Sequence, residues 1–450
     1  MTEATDTNKA CHWAVRTGQT ICRLLLAVAF IFSGFVKAID PLGTQYKIQD
    51  YLEAVGLSGY IPDWLTLTTS LCLSSLEFCL GIFLLFAIRR RLVSRLALLF
   101  MIVMTLITLW LAISNPVKDC GCFGDAIHLT NWQTFGKNLV LLAAAGVVAW
   151  CPTLMIRFIS KRNQGIVINF SILFILIVSV WSLYDLPMFD FRPYHIGANI
   201  KKGMEIPKGA KKPQFETTFI MEKNGQRKEF TLDNYPDSTW TYIDARTIQT
   251  EEGYEPPIHD FSITDMATEE DITERVLSQK GYTFLLIAPY LEQADDSNFG
   301  EIDRISEYAQ DNGYHFYCLT ASGEKGINQW RDLTGAEYPF CTTDATTLKT
   351  VIRSNPGLLL LKQGTIVRKW SHNNLPSAEE LSAPLEKSSL GKMPERSVPQ
   401  KITGIIIGFI LPLFLLTLAD RLWAWVRWKK KNRDTAKEGN SNETSSTNKA

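Results

Sequence analysis

Six long apolar runs decide most of what this chain can become. A helix needs about 20 apolar residues to cross the hydrocarbon of a bilayer. Residues 20–39, 64–88, 92–114, 138–159, 166–186 and 402–426 meet that requirement. Six crossings put both termini on one side, and basic residues identify the side. Arg89, Arg90, Arg91 and Arg95 fill one loop, Arg157, Lys161 and Arg162 the next on that face, and a Lys/Arg-rich stretch follows the last run. By the positive-inside rule this face is cytoplasmic. The loop 40–63 instead carries Asp40, Asp50, Glu53 and Asp63 against Lys47. A cleaved leader competes for the first run, but that run is long and no small-x-small cleavage site precedes Asp40, so it reads as a retained anchor.

The 46 basic and 46 acidic side chains cancel, which argues against a nucleic-acid partner. The organisation predicted is a cytoplasmic segment (1–19), a four-helix membrane domain (20–160) and a fifth helix (165–186). A linker with a β-hairpin (187–257), a soluble domain (258–386), a sixth helix (402–426) and a basic, then disordered, tail (427–450) complete it.

Topology sorts the cysteines. Cys11 and Cys22 lie on or near the cytoplasmic face, and Cys151 lies in the inner half of the fourth run. Cys72 and Cys79, seven residues apart, share a helical face. Buried cysteine behaves as a small hydrophobe, and that reading suits Cys22, Cys72, Cys79 and Cys151. The loop 115–137 places Cys120 and Cys122 on the outer face, where disulfides persist. Gly121 gives the backbone freedom to close a small Cys120–Cys122 ring, and such strained rings exchange readily. A static staple, two free thiols and a metal clip are the competing readings. The metal clip is the weakest, because no second Cys/His pair stands at zinc spacing and His128 is solitary.

Glu77 lies in the middle of the second run, and an intramembrane carboxylate is costly enough to suggest a role. It either relays protons or holds helices together through Ser33, Ser74 or Ser75. Lys37, at the outer end of the first run, forms an attractive pair with Glu77 if their depths match. Asp420 and Arg421 are placed for a local pair, and Trp423, Trp425 and Trp428 form an interfacial aromatic belt.

These fragments together resemble a known family. The stretch from Ser33 to Pro41 ("SGFVKAIDP") resembles a signature of DoxX-like membrane proteins, and "LEFCLGIFLLF" (76–86) resembles their Glu-then-Gly helix. "CGCFGD" (120–125) closely resembles the outer-loop motif of the related methylamine-utilisation MauE family. The resemblance covers about residues 15–160. It implies a four-helix unit similar in outline to vitamin-K-epoxide-reductase-like enzymes, a bacterial inner-membrane location with a periplasmic outer face, and disulfide formation or maturation of a periplasmic partner. Methylamine need not be the context, since no residue here reads an amine.

In the soluble region, residues 217–232 alternate around Asn224-Gly225, a hairpin signal. Strands at 282–290, 314–321 and 355–370 alternate with helices at 298–311, 324–334 and 344–353, a βαβ pattern closing in a hairpin. This resembles a thioredoxin-like domain of the TlpA or peroxiredoxin type, and Pro356 matches the family's cis-proline. The chain departs from that family where its C-x-x-C belongs: residues 288–299 contain no cysteine. Cys318 and Cys341 fall in core strands, either as inert core residues or as a disulfide between neighbours. His195, His259, His315 and His372 are scattered, and no Ser/His/Asp grouping in usable order is apparent.

The fold expected is a multi-pass α-helical membrane bundle with an outer-face α/β thioredoxin-like domain. Cys120 and Cys122 are the candidate redox pair and Glu77 the candidate proton relay. Outer-face protein thiols or a client protein, together with the bilayer, are the expected partners. A quinone is the candidate electron acceptor, and no metal is expected. A membrane anchor displaying a binding domain is the competing function, and a channel the weakest.

Overall fold

The computed structural model describes residues 2–117, 120–207, 209–211, 214–223, 226–231, 240–251, 253–394 and 398–447. It divides into two units, one of residues 1–191 with 394–450 and one of residues 192–393.

The first unit is helical: α1 (Thr2–Ile39), α2 (Pro41–Ala54), α3 (Asp63–Phe86), α4 (Arg90–Ser114), α5 (Asn131–Trp150) and α6 (Gln164–Tyr184). Among the described residues five helical segments are long and apolar enough to span: Trp13–Ile39, Asp63–Phe86, Arg90–Ser114, Gln164–Tyr184 and Pro399–Lys430. At 1.5 Å per residue, α3 alone reaches about 36 Å.

The fourth expected crossing, 138–159, is not among these five: its apolar residues fall in α5, which starts earlier and takes in polar residues. Thr130 and Gln133 form a capping box that starts α5 at Asn131, and Pro152 ends it, so Cys151 is the C-cap rather than mid-helix. The first turns of α5 are polar, yet the helix packs in the bundle through Leu141, Ala144, Ala145 and Val148. A second difference lies in the loop 40–63, which holds α2. Asp40 caps it by accepting from the Gly43 amide, and Pro41 occupies the first turn.

Helices α1 and α3 approach closely because glycine stands at the crossing. A Cβ on Gly34 would lie 2.3 Å from the Phe78 amide nitrogen, and one on Gly81 would lie 2.7 Å from that of Ile31. Phe78 of α3 and Phe174 of α6 meet Phe409 at 5.3 and 4.3 Å between centroids. Phe409 lies in a π turn (Ile406–Ile410) between α12 (Val398–Ile405) and α13 (Leu411–Thr447). The tail expected to be disordered continues α13 to Thr447; it contains no proline to stop it. Asp420 does not pair with Arg421. It accepts from the Ser160 amide and hydroxyl and from Asn163, each at 2.7 Å, while Arg421 donates to the Arg157 carbonyl. Trp423 is stacked by Arg427, 3.3 Å above its ring.

The second unit contains two sheets. Residues expected to form a linker and one hairpin instead hold α7 (Ile200–Met204) and a three-stranded antiparallel sheet. Its strands β1 (Gln214–Lys223), β2 (Gln226–Thr231) and β3 (Thr241–Glu251) run in the order β2-β1-β3. Lys223 pairs with Gln226 across the expected hairpin, whose turn residues Asn224 and Gly225 lie outside the described residues.

The larger sheet contains β4 (Thr264–Asp265), β5 (Tyr282–Ala288), β6 (His315–Thr320), β7 (Phe340–Thr342), β8 (Gly357–Lys362) and β9 (Thr365–Ser371) in the order β4-β7-β6-β5-β8-β9. Strands β5, β6 and β7 are parallel; β8 and β9 are antiparallel. Helices α8 (Thr273–Leu277), α9 (Phe299–Asp311), α10 (Glu324–Thr334) and α11 (Ala345–Val351) join them. The run β6-β5-β8-β9, with its parallel first pair and closing hairpin, is the thioredoxin-like fold. The Asn355–Pro356 peptide before β8 is cis, at the position the sequence indicates. Strand β5 is buried along its whole length, as the centre of a sheet covered on both faces requires.

Candidate functional site

The loop between α4 and α5 folds back so that Cys120 and Cys122 bring their sulfurs to 2.7 Å. Gly121 (φ 61°) and Gly124 (φ 52°) adopt the left-handed backbone that this reversal needs. Both cysteines are free thiols and each is only 8 % exposed. They pack with Leu111, Met104, Val117 and Tyr51.

Helix α2 lies over this turn. The Tyr51 hydroxyl donates to the Cys120 carbonyl, and the Lys47 side chain covers Gly121. Gln45 anchors α2 to the start of α3 by donating to the Asp63 carbonyl and the Thr66 hydroxyl.

Beneath the loop, α1 and α3 present a buried polar triad. Lys37 Nζ lies 2.7 Å from Glu77 Oε1, so the depths of the two helices match. Ser33 Oγ lies 2.7 Å from Glu77 Oε2 and 2.7 Å from the Cys122 carbonyl oxygen. Of the three serines considered for Glu77, Ser33 is therefore the partner; Ser74 bonds within its own helix. A small cavity of about 30 Å³ joins Ser33, Lys37, Glu77 and Cys122 to Lys137 and Asn138 of α5. That volume suffices for a water molecule, which needs roughly 10–15 Å³ by this measure. Lys137 Nζ sits 4.0 Å above the Phe123 ring.

The two thiols are driven apart electrostatically. The hydrogen bond from Cys120 lowers the Cys122 thiol from 9.0 to about 7, and the Lys137 and Lys37 charges act in the same direction against burial. Cys120 gives that hydrogen bond and is pushed up by it and by burial. Thiolate, not thiol, is the nucleophile, so Cys122 is the reactive sulfur and Cys120 its proton-bearing neighbour.

The other cysteines stand apart from this pair. Cys79 is buried in the contact of α3 with α6 and the C-terminal helix, and Cys72 is exposed on the surface of the unit. In the second unit Cys318 pairs in register with Phe340, and Cys341 with Leu319. Side chains of successive strand residues point to opposite faces, so Cys318 and Cys341 lie on opposite sides of the sheet, as core cysteines and not as the alternative disulfide. Burial raises both thiols.

Three residues from separate segments do meet beside Pro356, a Ser/His/Asp contact that their order in the sequence did not suggest. Ser354 Oγ lies 2.9 Å from His372 Nδ1, and His372 Nε2 lies 3.6 Å from Asp295. The Ser354 hydroxyl also donates to the Pro356 carbonyl and accepts from the His372 amide, so it fixes the turn and is not free to attack. Among the described residues no group of three His, Cys, Asp or Glu side chains is placed to hold a metal ion.

Sequence reasoning missed Ser33 as a partner of the loop, Lys137, and the α2 residues Lys47 and Tyr51. Only α2 left a signal, the Asp40-Pro41 cap.

Comparison with known proteins follows the same division. Residues 15–151 match the family model of the methylamine utilisation protein MauE. This range includes α2, α3, α4, the thiol loop and α5, so the MauE resemblance of the loop motif holds. Residues 215–252, which span the three-stranded sheet, match a domain of unknown function, DUF8463. No curated protein matches the chain. Among solved structures, a candidate protein disulfide isomerase from Bacteroides thetaiotaomicron aligns over 26 % of this chain and 76 % of its own, at 16 % identity and a TM-score of 0.22.

Proposed function

We propose that this chain, MauE-like in its membrane unit and thioredoxin-like in its second unit, is a membrane thiol–disulfide oxidoreductase working through Cys120 and Cys122. One observation carries the reading: the two sulfurs sit 2.7 Å apart above a buried lysine–carboxylate pair. A disulfide bond of about 2.05 Å therefore needs little movement of the loop.

In the oxidised form, a thiolate of an outer-face protein attacks Cys120 Sγ. The Cys120–Cys122 bond breaks and Cys122, the more acidic thiol, leaves as thiolate. The partner's second thiolate then attacks its own sulfur in the mixed disulfide. The partner's disulfide forms, and Cys120 leaves and is protonated. Two electrons pass to the pair, and a two-electron acceptor removes them. A membrane quinone, reduced to quinol, is the acceptor expected; a second protein disulfide is the alternative.

Glu77 is the proton-handling group of this cycle. The thioredoxin-like domain, lacking its own dithiol, binds the client. Both termini face the cytoplasm of a bacterial inner membrane, and the second unit faces the periplasm. A second reading, a membrane anchor displaying a binding domain, draws on the burial of both sulfurs under α2.

Acid-quenching of cells followed by mass-tagged maleimide labelling separates the two. In the enzyme the pair is oxidised, is reduced by a dithiothreitol pulse and recovers. Cys120→Ser leaves Cys122 as a lone reactive thiolate, which attacks the disulfide of an oxidised client, releases one client thiolate and stays as a mixed disulfide. Cys122→Ser, whose Cys120 remains a thiol, traps much less. A pair that stays reduced, or stays oxidised and traps nothing, leaves the anchor.

A further inference from the structure

We propose that Glu77 holds the second proton of the reduced pair, so that reduction of the Cys120–Cys122 disulfide is coupled to protonation of a carboxylate buried between α1 and α3. This rests on the thiol–disulfide reading above and assigns a proton to a specific atom within it.

Hydrogen counting gives the first argument. Ser33 has one hydroxyl proton and two acceptors at 2.7 Å, the Cys122 carbonyl and Glu77 Oε2. With Glu77 ionised, one of those contacts lacks a proton. With Glu77 protonated, the carboxyl donates to Ser33, Ser33 donates to the Cys122 carbonyl, and Lys37 still donates to Glu77 Oε1. Every contact in the chain is then satisfied.

Charge counting gives the second. In the disulfide form the buried charges are Lys37 and Glu77, which cancel. Reduction to a Cys122 thiolate with Glu77 ionised adds a negative charge on a residue only 8 % exposed. An uncompensated charge in such a place is expensive. Proton uptake by Glu77 restores neutrality and leaves Lys37 to face the thiolate.

Among the described residues the surroundings offer no other buried acceptor for that proton. Helix α1 supplies Lys37 and Ser33, α5 supplies the half-buried Lys137, and the loop supplies Cys120, already a thiol. From α2, Lys47 and Tyr51 reach the loop from above. Toward the cavity α4 contributes Phe100, Met101 and Met104, and α6 carries no Asp, Glu, Lys, Arg or His. The 30 Å³ cavity connects Cys122 with Glu77 and has room for a proton-carrying water.

The balance is explicit. The disulfide accepts two electrons and two protons; the S–S bond breaks, one proton goes to Cys120 Sγ and one to the Glu77 carboxyl, and Cys122 remains a thiolate.

A redox titration of the full-length chain in lipid nanodiscs, with glutathione buffers and maleimide mass tags, reads the proton count. Two protons per two electrons change the reduction equilibrium a hundredfold per pH unit, about 59 mV; one proton changes it tenfold, about 30 mV. Above the Cys122 titration near 7 the wild type is expected to keep the hundredfold slope. Glu77→Gln is expected to fall to the tenfold slope there. Reduction should also produce a protonated-carboxyl band in the infrared difference spectrum, absent in Glu77→Gln. A wild-type slope that itself drops to tenfold above that point, with no carboxyl band, overturns the proposal, and needs no variant that folds. A pair that shows no reversible transition at any pH overturns the thiol–disulfide reading and this proposal with it.

Discussion

Lys37 and Glu77, forty residues apart in sequence and on different helices, meet at 2.7 Å with side chains 4 % and 3 % exposed. Removing one partner of such a pair leaves an uncompensated buried charge, which costs about 3–5 kcal/mol, whereas replacing both by apolar residues is often neutral. Lys37→Met is therefore expected to lower the stability of the membrane unit by about that amount. Lys37→Met with Glu77→Met is expected to recover most of it. Unfolding in mixed detergent micelles measures both, and a double variant as unstable as the single would refute the pairing argument.

The thiols of the loop predict a pH profile. Cys122 titrates near 7 and Cys120 above its ordinary value. Alkylation of Cys122 should therefore rise with pH through about 7, and Cys120 should label slowly at the same pH. Cys120→Ala removes the leading cause of the depression, and alkylation of Cys122 at neutral pH should slow about tenfold for each unit its pKa regains. In Glu77→Gln, which has no carboxyl to take up the proton that Cys122 loses, stability of the dithiol form follows by linkage. Between about 7 and 9 the unfolded chain binds the proton that folded Cys122 has lost, so stability rises with pH in that window. Above 9 the unfolded chain loses the proton that Cys120 keeps, and stability falls. Thermal unfolding across this range in reductant checks the sign.

The α1–α3 crossing is a geometric requirement for the same site. Alanine at Gly34 places its Cβ 2.3 Å from the Phe78 nitrogen, and alanine at Gly81 places it 2.7 Å from the Ile31 nitrogen, backbone in both cases. The helices must separate, and overpacking of this kind costs about 1–3 kcal/mol or more. Because Ser33 and Lys37 ride on α1 and Glu77 on α3, Gly34→Ala is expected to loosen the triad as well. Its signature is slower alkylation of Cys122 together with lower thermal stability. Gly136→Ala, where the added methyl meets nothing within 4 Å, is the control.

What the sequence disclosed follows from what periodicity and composition encode. Apolar length alone located five of the six expected spans, because a bilayer imposes one dimension on every crossing. The βαβ alternation and Pro356 located the thioredoxin-like sheet. The thiol pair was legible from Gly121 between two cysteines. The Lys37–Glu77 contact was not, since it depends on the relative depth of two helices, set by Gly34 and Gly81 and by no pattern within either run. The fourth run gave α5, which is not among the span-length apolar helices, because capping by Thr130 and termination by Pro152 moved the helix onto polar residues. The Cys318–Cys341 pairing failed on a matter of strand register, which places neighbours on one face or on opposite faces by a single residue.

That register makes its own prediction. Cys318 and Cys341 are both fully buried, on opposite faces of adjoining strands, with thiols raised by burial. In the folded chain both should resist maleimide for as long as the sheet stays closed, and react once denaturant is added. Oxidation with diamide should produce no Cys318–Cys341 crosslink. A crosslinked peptide in the digest would overturn the register.

Ser354 ties together the turn that precedes β8. Its hydroxyl donates to the Pro356 carbonyl, contacts His372 Nδ1 at 2.9 Å and accepts from the His372 amide at 3.1 Å. Ser354→Ala leaves the carbonyl and the amide without this partner, at a cost of about 1–3 kcal/mol. The loss should be local: faster amide hydrogen exchange in β8 and β9 of the full-length chain, with the membrane helices unchanged. Since the hydroxyl is committed to the turn, the same variant should leave trapping of mixed disulfides by Cys120→Ser in place. Loss of trapping without faster exchange would instead give Ser354 a part in the thiol chemistry.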